Sequence, residues 1–214
     1  MTLRPVSEVA AGDWLRGADP CLGPSGFEAY ARLLHHADDG WRQEGHVEEE
    51  LLRRLCDVLA QHTTTPDDCR FGLWDGYGEL HGGDAAGFLV AFSGPMRWPG
   101  RIFRPERKQP PPPPAFPQDV LDGPKLALDH DYLLFAGPLA DAGRWGAAPY
   151  APGHPRDVNS PNLIWPADHA WTVTTNIDSE WTGVGGTARL VEDLLATPGL
   201  EVVRTRHDHR EETR

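Results

Sequence analysis

The sequence predicts an α+β fold: a mostly antiparallel sheet of about six to eight strands, with two main helices packed on it and one long proline-rich loop. Three observations predict it. Strand-like segments follow one another with turn signals between them, the order expected of hairpins. Only two stretches, 46–61 and 187–196, carry a clear apolar stripe at helical spacing. The 23 glycines and 21 prolines among 214 residues also demand many turns. The length suits a single domain over residues 1–214, with room for a substantial core.

Residues 1–24 are weakly periodic and broken by Pro5, Gly12, Pro20 and Pro24, as in an arm docked on a larger body. Two readings stay open for the next segment. Ser25-Gly26-Phe27-Glu28 has the S-x-x-E form of a capping box and favours a short helix. The alternation of Tyr30, Arg32 and Leu34 against Ala31, Leu33 and His35 describes a strand instead. Along 46–61, Val47, Leu51, Leu55, Val58 and Leu59 make one stripe, and Glu48, Glu49 and Glu50 suit the positive pole of a first turn. Pro66 ends that helix.

Residues 69–74 alternate as a half-buried strand with Phe71 and Leu73 on one face, and Asp75-Gly76 supplies a tight turn. The apolar run 87–92 (GFLVAF) reads as a central strand. Prolines and glycines then mark an excursion over 93–124, partly polyproline II through Pro110 to Pro114, a stiff spacer outside the core. Strands resume at 126–128 and 132–135 around the bend Asp129-His130-Asp131.

The centre of the chain is the stretch 160–186, SPNLIWPADHAWTVTTNIDSEWTGVGG, which holds three of the eight tryptophans. It predicts strands at 170–177 and 180–184 joined through Asp178-Ser179. Trp171, Val173 and Thr175 face a core, and Thr172, Thr174 and Asn176 form a polar face open to a partner. Thr187 caps a helix whose Leu190, Val191, Leu194 and Leu195 form the buried stripe. A last strand covers 200–205, and the charged tail 206–214 is expected to be flexible.

The net charge of −12 argues against broad affinity for nucleic acid or anionic membranes. The charge is uneven: 12 Asp and Glu stand against 4 Arg over residues 37–84, whereas 97–108 carries five basic residues and one Glu. No apolar run approaches the roughly 20 residues of a membrane span, and no signal-peptide core is present, so cytoplasmic residence is expected. Cys21, Cys56 and Cys69 have no CxxC spacing, and neither a disulfide framework, a metal site nor a cofactor is implied.

No Walker loop, dinucleotide fingerprint, GxSxG elbow or HExxH occurs. The candidate binding residues are therefore Trp74, Asp75 and Tyr77 at a strand end, the polar face Thr172, Thr174 and Asn176, and Trp181. The strand-to-helix turn with Gly185, Gly186 and Thr187 is a candidate anion cradle, because free amides at a helix N-terminus attract negative groups.

The blocks YARLLH (30–35), HTTTPDDCRFGLWDGYG (62–78), YLLFAGPL (132–139) and SPNLIWPADHAW (160–171) resemble those of a family of uncharacterised, mainly actinobacterial proteins. The likeness covers about half of the chain and brings no activity or site residue with it. The more β-branched versions of the first block in that family favour the strand reading of 30–35. The leading expectation is a non-enzymatic binding or protein-interaction domain of regulatory or immunity type. The alternatives are an enzyme acting on a small molecule through Asp75, Asp168, His169 or Glu180, and a small-ligand or anion sensor.

Overall fold

A computed structural model describes residues 2–38, 41–82 and 112–207. In chain order the strands are β1 (Arg4–Pro5), β2 (Ala29–Leu34), β3 (Ala37–Asp38), β4 (Trp41–Arg42), β5 (Cys69–Trp74), β6 (Leu126–Ala127), β7 (Asp131–Gly137), β8 (Leu163–Pro166), β9 (Thr172–Thr174), β10 (Trp181–Gly186) and β11 (Val202–Thr205). The helices are α1 (Glu49–Leu59), α2 (Gln118–Leu121) and α3 (Ala188–Ala196). Nine strands form one sheet in the order β1-β7-β5-β8-β9-β10-β2-β11, with β6 also on β7, and β3 and β4 form a separate ribbon. The pairings between described strands are all antiparallel, so the α+β expectation holds. The expected strand at 87–92 and most of the proline-rich excursion lie outside the described residues.

The pleat sends alternate residues to two covered faces. On one, Leu33, Phe71, Leu73, Phe135, Ile164, Val173 and Val184 pack against Leu51, Leu55 and Leu59 of α1 and Leu190 and Leu194 of α3. Trp171 is completely buried here and its indole N–H donates to the Leu59 carbonyl at 3.1 Å. Each such aliphatic side chain removed from water contributes about 1.5–3 kcal/mol, so this layer is the principal core. On the other face, Leu126, Tyr132, Leu134, Leu163 and Trp165 pack against Leu15, with Val6, Val9 and Trp14 around them. The N-terminal arm thus covers the second face.

Three local expectations are corrected. Helix α1 begins at Glu49 rather than residue 46, because His46 and Val47 are tied elsewhere. Ser160 N–H donates to His46 Nδ1 at 3.0 Å, and Val47 N–H donates to Ser160 Oγ at 2.8 Å. The residues after the capping box form the strand β2 rather than a capped helix, so the strand reading of this segment holds, and Glu28 caps a different helix: its Oε2 accepts from the Ala188 amide at 3.0 Å, at the start of α3. Thr187 caps the same end through Leu190 N–H at 3.1 Å, as its position predicts. Finally, the described start of the tail is docked, with His207 Nε2 2.9 Å from the Gly23 carbonyl and its ring 5.0 Å from that of Tyr30.

Strand β8 has no counterpart in the sequence expectations. Leu163, Ile164, Trp165 and Pro166 are all buried, because the strand lies between β5 and β9 and both of its faces are covered. A strand buried on both sides shows no polar alternation, and the flanking prolines disguise it further.

Candidate functional site

The polar face predicted for Thr172 and Thr174 exists, but it is turned toward the arm rather than toward solvent: Thr172 is 2% and Thr174 4% exposed. What covers it is a tight loop at 19–23. Asp19 Oδ1 accepts from the amides of Cys21 and Leu22 at 2.8 and 2.9 Å, and Asp19 and Gly23 exchange backbone hydrogen bonds at 3.0 and 2.9 Å. Gly23 takes φ +78°, a left-handed conformation suited to glycine, and a Cβ there would lie 2.9 Å from Thr172 Oγ1 and 3.1 Å from Thr174 Oγ1. The loop also lies on β10, where a Cβ on Gly183 would fall 2.1 Å from the Cys21 carbonyl oxygen.

Beside this loop the arm and the sheet separate to leave a cleft of about 320 Å³. Leu15, Leu128 and Leu163 give it apolar walls; Asp19, Asp129, Tyr132 and Thr174 supply the polar groups. Arg16 borders it but is committed, with Nε 2.9 Å from Asp13 Oδ1 and Nη1 3.2 Å from the Ala127 carbonyl. The Tyr132 hydroxyl donates to Asp129 Oδ1 at 3.0 Å. Burial, reinforced by the Asp129 charge, pushes this phenol well above its ordinary range, so it stays a donor. The Thr172 hydroxyl, buried beneath Gly23, has no hydrogen-bond partner among the described residues. The cleft therefore combines an apolar wall, two carboxylates and the hydroxyl of Thr174, with the unsatisfied Thr172 hydroxyl under the adjacent loop.

The remaining predicted residues do not join this cleft. Trp74, Asp75 and Tyr77 cluster at the end of β5: the Trp74 ring meets Tyr77 edge-on at 4.9 Å and His130 at 5.6 Å. Asp75 Oδ2 lies 2.5 Å from Lys125 Nζ. Its Oδ1 lies 3.3 Å from His81 Nε2 yet takes no hydrogen bond from it, because that nitrogen is 2.8 Å from the Asp75 carbonyl. Tyr77 donates to the Gly45 carbonyl at 3.1 Å and accepts from Asn162 Nδ2 at 2.9 Å. These contacts pin the turn that follows β5. Asn176 Oδ1 accepts from the Asp178 amide at 2.9 Å and shapes the next turn, and Trp181 carries the Arg32 guanidinium 4.3 Å above its ring.

At the anion cradle expected around Gly185, Gly186 and Thr187, Glu28 already supplies the negative group on the Ala188 amide, and both glycines are buried strand residues of β10. The groups considered for acid–base chemistry are dispersed. Asp168 accepts from Thr63 Oγ1, the Thr64 amide, Thr64 Oγ1 and the Ala170 amide at 2.7–3.2 Å. Burial opposes its charge, but these hydrogen bonds prevail and hold the carboxyl down to about 2. His169 stacks on Trp14 with ring centroids 4.2 Å apart, and Glu180 is exposed. Among the described residues, no group of three or more His, Cys, Asp or Glu side chains is placed to hold a metal ion.

Two polar arrangements escaped the sequence. Asn162, completely buried, accepts from the Trp74 amide at 2.9 Å and donates to Tyr77 and to the Thr175 carbonyl, joining β5 to the end of β9. His35, 1% exposed, lies 2.6 Å from the Gln43 carbonyl through Nδ1 and 2.9 Å from Thr182 Oγ1 through Nε2, and Thr182 is 2.8 Å from Thr175 Oγ1. Since a carbonyl only accepts, Nδ1 carries the proton. Of the cleft, the sequence marks Thr174 as part of a polar face and Asp129 as part of a bend, whereas Asp19-Pro20 and Gly23 signal only a turn.

Compared with known proteins, the chain matches no family model, no curated protein and no solved structure. Among the described residues no helix is long and apolar enough to cross a membrane.

Proposed function

We propose that the chain is a non-enzymatic binding domain of regulatory type, and that it takes a small molecule in the cleft between the N-terminal arm and the sheet. The observation that carries this reading is the cleft itself. Its volume of about 320 Å³ falls at the lower end of ligand pockets, and its mixture of an apolar wall with a few converging polar groups is their usual chemistry. Asp19 and Asp129 line the cleft beside Arg16, whose guanidinium is already bound to Asp13. The polar groups therefore favour a hydrogen-bond donor: a small polyol or a protonated amine bearing an apolar portion.

The test is a thermal-shift screen of small amines, polyols and amino sugars, followed by calorimetry on the compounds that raise Tm. Thr174→Val preserves shape while deleting the hydroxyl, and it is expected to abolish the shift. A panel with no stabilising member, or a shift retained by Thr174→Val, refutes the reading.

A further inference from the structure

We propose that the outer edge of β11 is a self-association surface, at which a second copy of this chain pairs antiparallel about a two-fold axis at Val203. The two ends of the sheet differ. At one end β1 is two residues long and includes Pro5, which has no amide hydrogen, and β6 shares the same side of β7. At the other end β11 runs regularly over Val202–Thr205 with no proline, glycine or lysine.

The backbone register specifies how a copy would dock. The Leu34 amide donates to the Glu201 carbonyl at 2.9 Å, which makes 201 and 34 a hydrogen-bonded pair. Alternation then makes Val203 with Arg32 and Thr205 with Tyr30 the bonded pairs, and turns the N–H and C=O groups of Val202 and Arg204 outward. A two-fold axis at Val203 sets Val202 opposite Arg204 of the second copy, and Arg204 opposite its Val202. About four main-chain hydrogen bonds close at once, with none of these outward groups left over.

Val203 then meets itself in a non-bonded pair, where side chains approach most closely. It is 49% exposed and, with Leu195 at 39%, one of two large apolar side chains exposed among the described residues. Leu195 belongs to the same edge: it lies one helical turn beyond Glu192 of α3, and Glu192 is paired with Arg204 of β11. The two exposed apolar side chains and the outward backbone groups thus occupy one edge, on opposite faces of the sheet. The Glu192–Arg204 pair neutralises itself, so two copies of a chain of charge −12 meet there without bringing like charges together. This self-complementarity selects a second copy over an unrelated strand.

The test is sedimentation velocity of the full chain over a dilution series, with Val203→Lys and two cysteine variants. Wild type is expected to dimerise reversibly. Val203→Lys, which places like charges across the axis at a solvent-exposed position, is expected to weaken the dimer on the order of tenfold or more while leaving circular dichroism unchanged, and Tm unchanged at dilutions where both proteins are monomeric. Under mild oxidation Val203→Cys is expected to cross-link to a dimer, whereas Thr205→Cys, which faces Glu201 of the other copy, is not. A wild type that stays monomeric at every concentration overturns the proposal. So does a dimer indifferent to Val203→Lys, or one that cross-links through residue 205 in preference to 203.

Discussion

Substituting Gly183 with alanine tests whether the arm is clamped onto the sheet as described. Gly183 sits in β10, opposite Arg32 of β2 and Thr174 of β9. Its φ lies outside the left-handed region, so the substitution introduces no backbone strain of its own. The added Cβ would lie 2.1 Å from the Cys21 carbonyl oxygen and 3.0 Å from Leu22 Cα. Ordinary carbon–oxygen contacts begin at roughly 3.3 Å, so the loop must move by more than about 1 Å.

Two routes are open to the variant. Compressing the loop in place costs about 1–3 kcal/mol as overpacking. Lifting it exposes Leu22, now 2% exposed, at about 1.5–3 kcal/mol. Alanine recovers roughly 0.5–1 kcal/mol of the entropic cost of glycine in a strand, which leaves a net loss of up to about 2.5 kcal/mol and about 1–1.5 kcal/mol at mid-range. For a chain of this length the mid-range loss lowers Tm by roughly 2–6 °C.

The assay is a thermal melt paired with limited trypsin digestion read by mass spectrometry. Cleavage after the exposed Arg16 is expected to accelerate while β7 to β10 stay protected. Melting within about 1 °C of wild type, with cleavage at Arg16 unchanged, would refute the packing of residues 19–23 on β10.

Other perturbations have equally definite outcomes. His35 is held neutral chiefly by burial, against the favourable Gln43 carbonyl, and His46 is also lowered by burial. The fold therefore binds fewer protons than the unfolded chain, and their contribution is complete above about pH 6.5 and lost as pH falls below it. Tm is expected to drop between pH 7 and 5, with a shallower slope in His35→Gln and His46→Gln; an unchanged slope in both variants contradicts the buried network. Asp168→Ala removes a carboxylate that holds Thr63, Thr64 and Ala170, and is expected to cost about 0.5–2 kcal/mol, the range for a lost Asp cap. Because the folded carboxyl is lowered to about 2, its contribution is present above about pH 4 and disappears as pH falls toward 2, which urea midpoints across that range will read. Asn162→Ala strands the Trp74 amide and the Thr175 carbonyl in the interior, and a loss of about 2–4 kcal/mol in urea unfolding is expected. A loss below about 0.5 kcal/mol would mean that water replaces the side chain.

Much of the fold was legible because it was written in local periodicity. Phe71 and Leu73, Trp171 and Val173, and the stripes of α1 and α3 face the core that their spacing predicts, except Leu195 at the edge of the α3 stripe, which is 39% exposed because it lies beyond the arc of the helix that meets the sheet. The candidate site was legible only in part. Thr172 and Thr174 were recognised as a polar face, but a strand's alternation says only which residues share a side, not what lies over that side. The arm segment that covers them, 19–23, precedes Thr174 by some 150 residues. Asp19, Asp129 and Tyr132 come together from the arm and from the hairpin of β6 and β7, and nothing in their own neighbourhoods distinguishes them from turn residues.

What the sequence determined by itself was the kind of element and the face it buries, since both follow from short-range sterics and the spacing of apolar residues. The tertiary structure decided the rest. It turned the S-x-x-E glutamate into a cap for a helix 160 residues away, hid β8 between two neighbours, and placed Gly23 over a pair of threonines. Each of these depends on which segments meet in space, and a hydrogen bond or a close contact closed by long-range packing leaves no period in the chain that makes it.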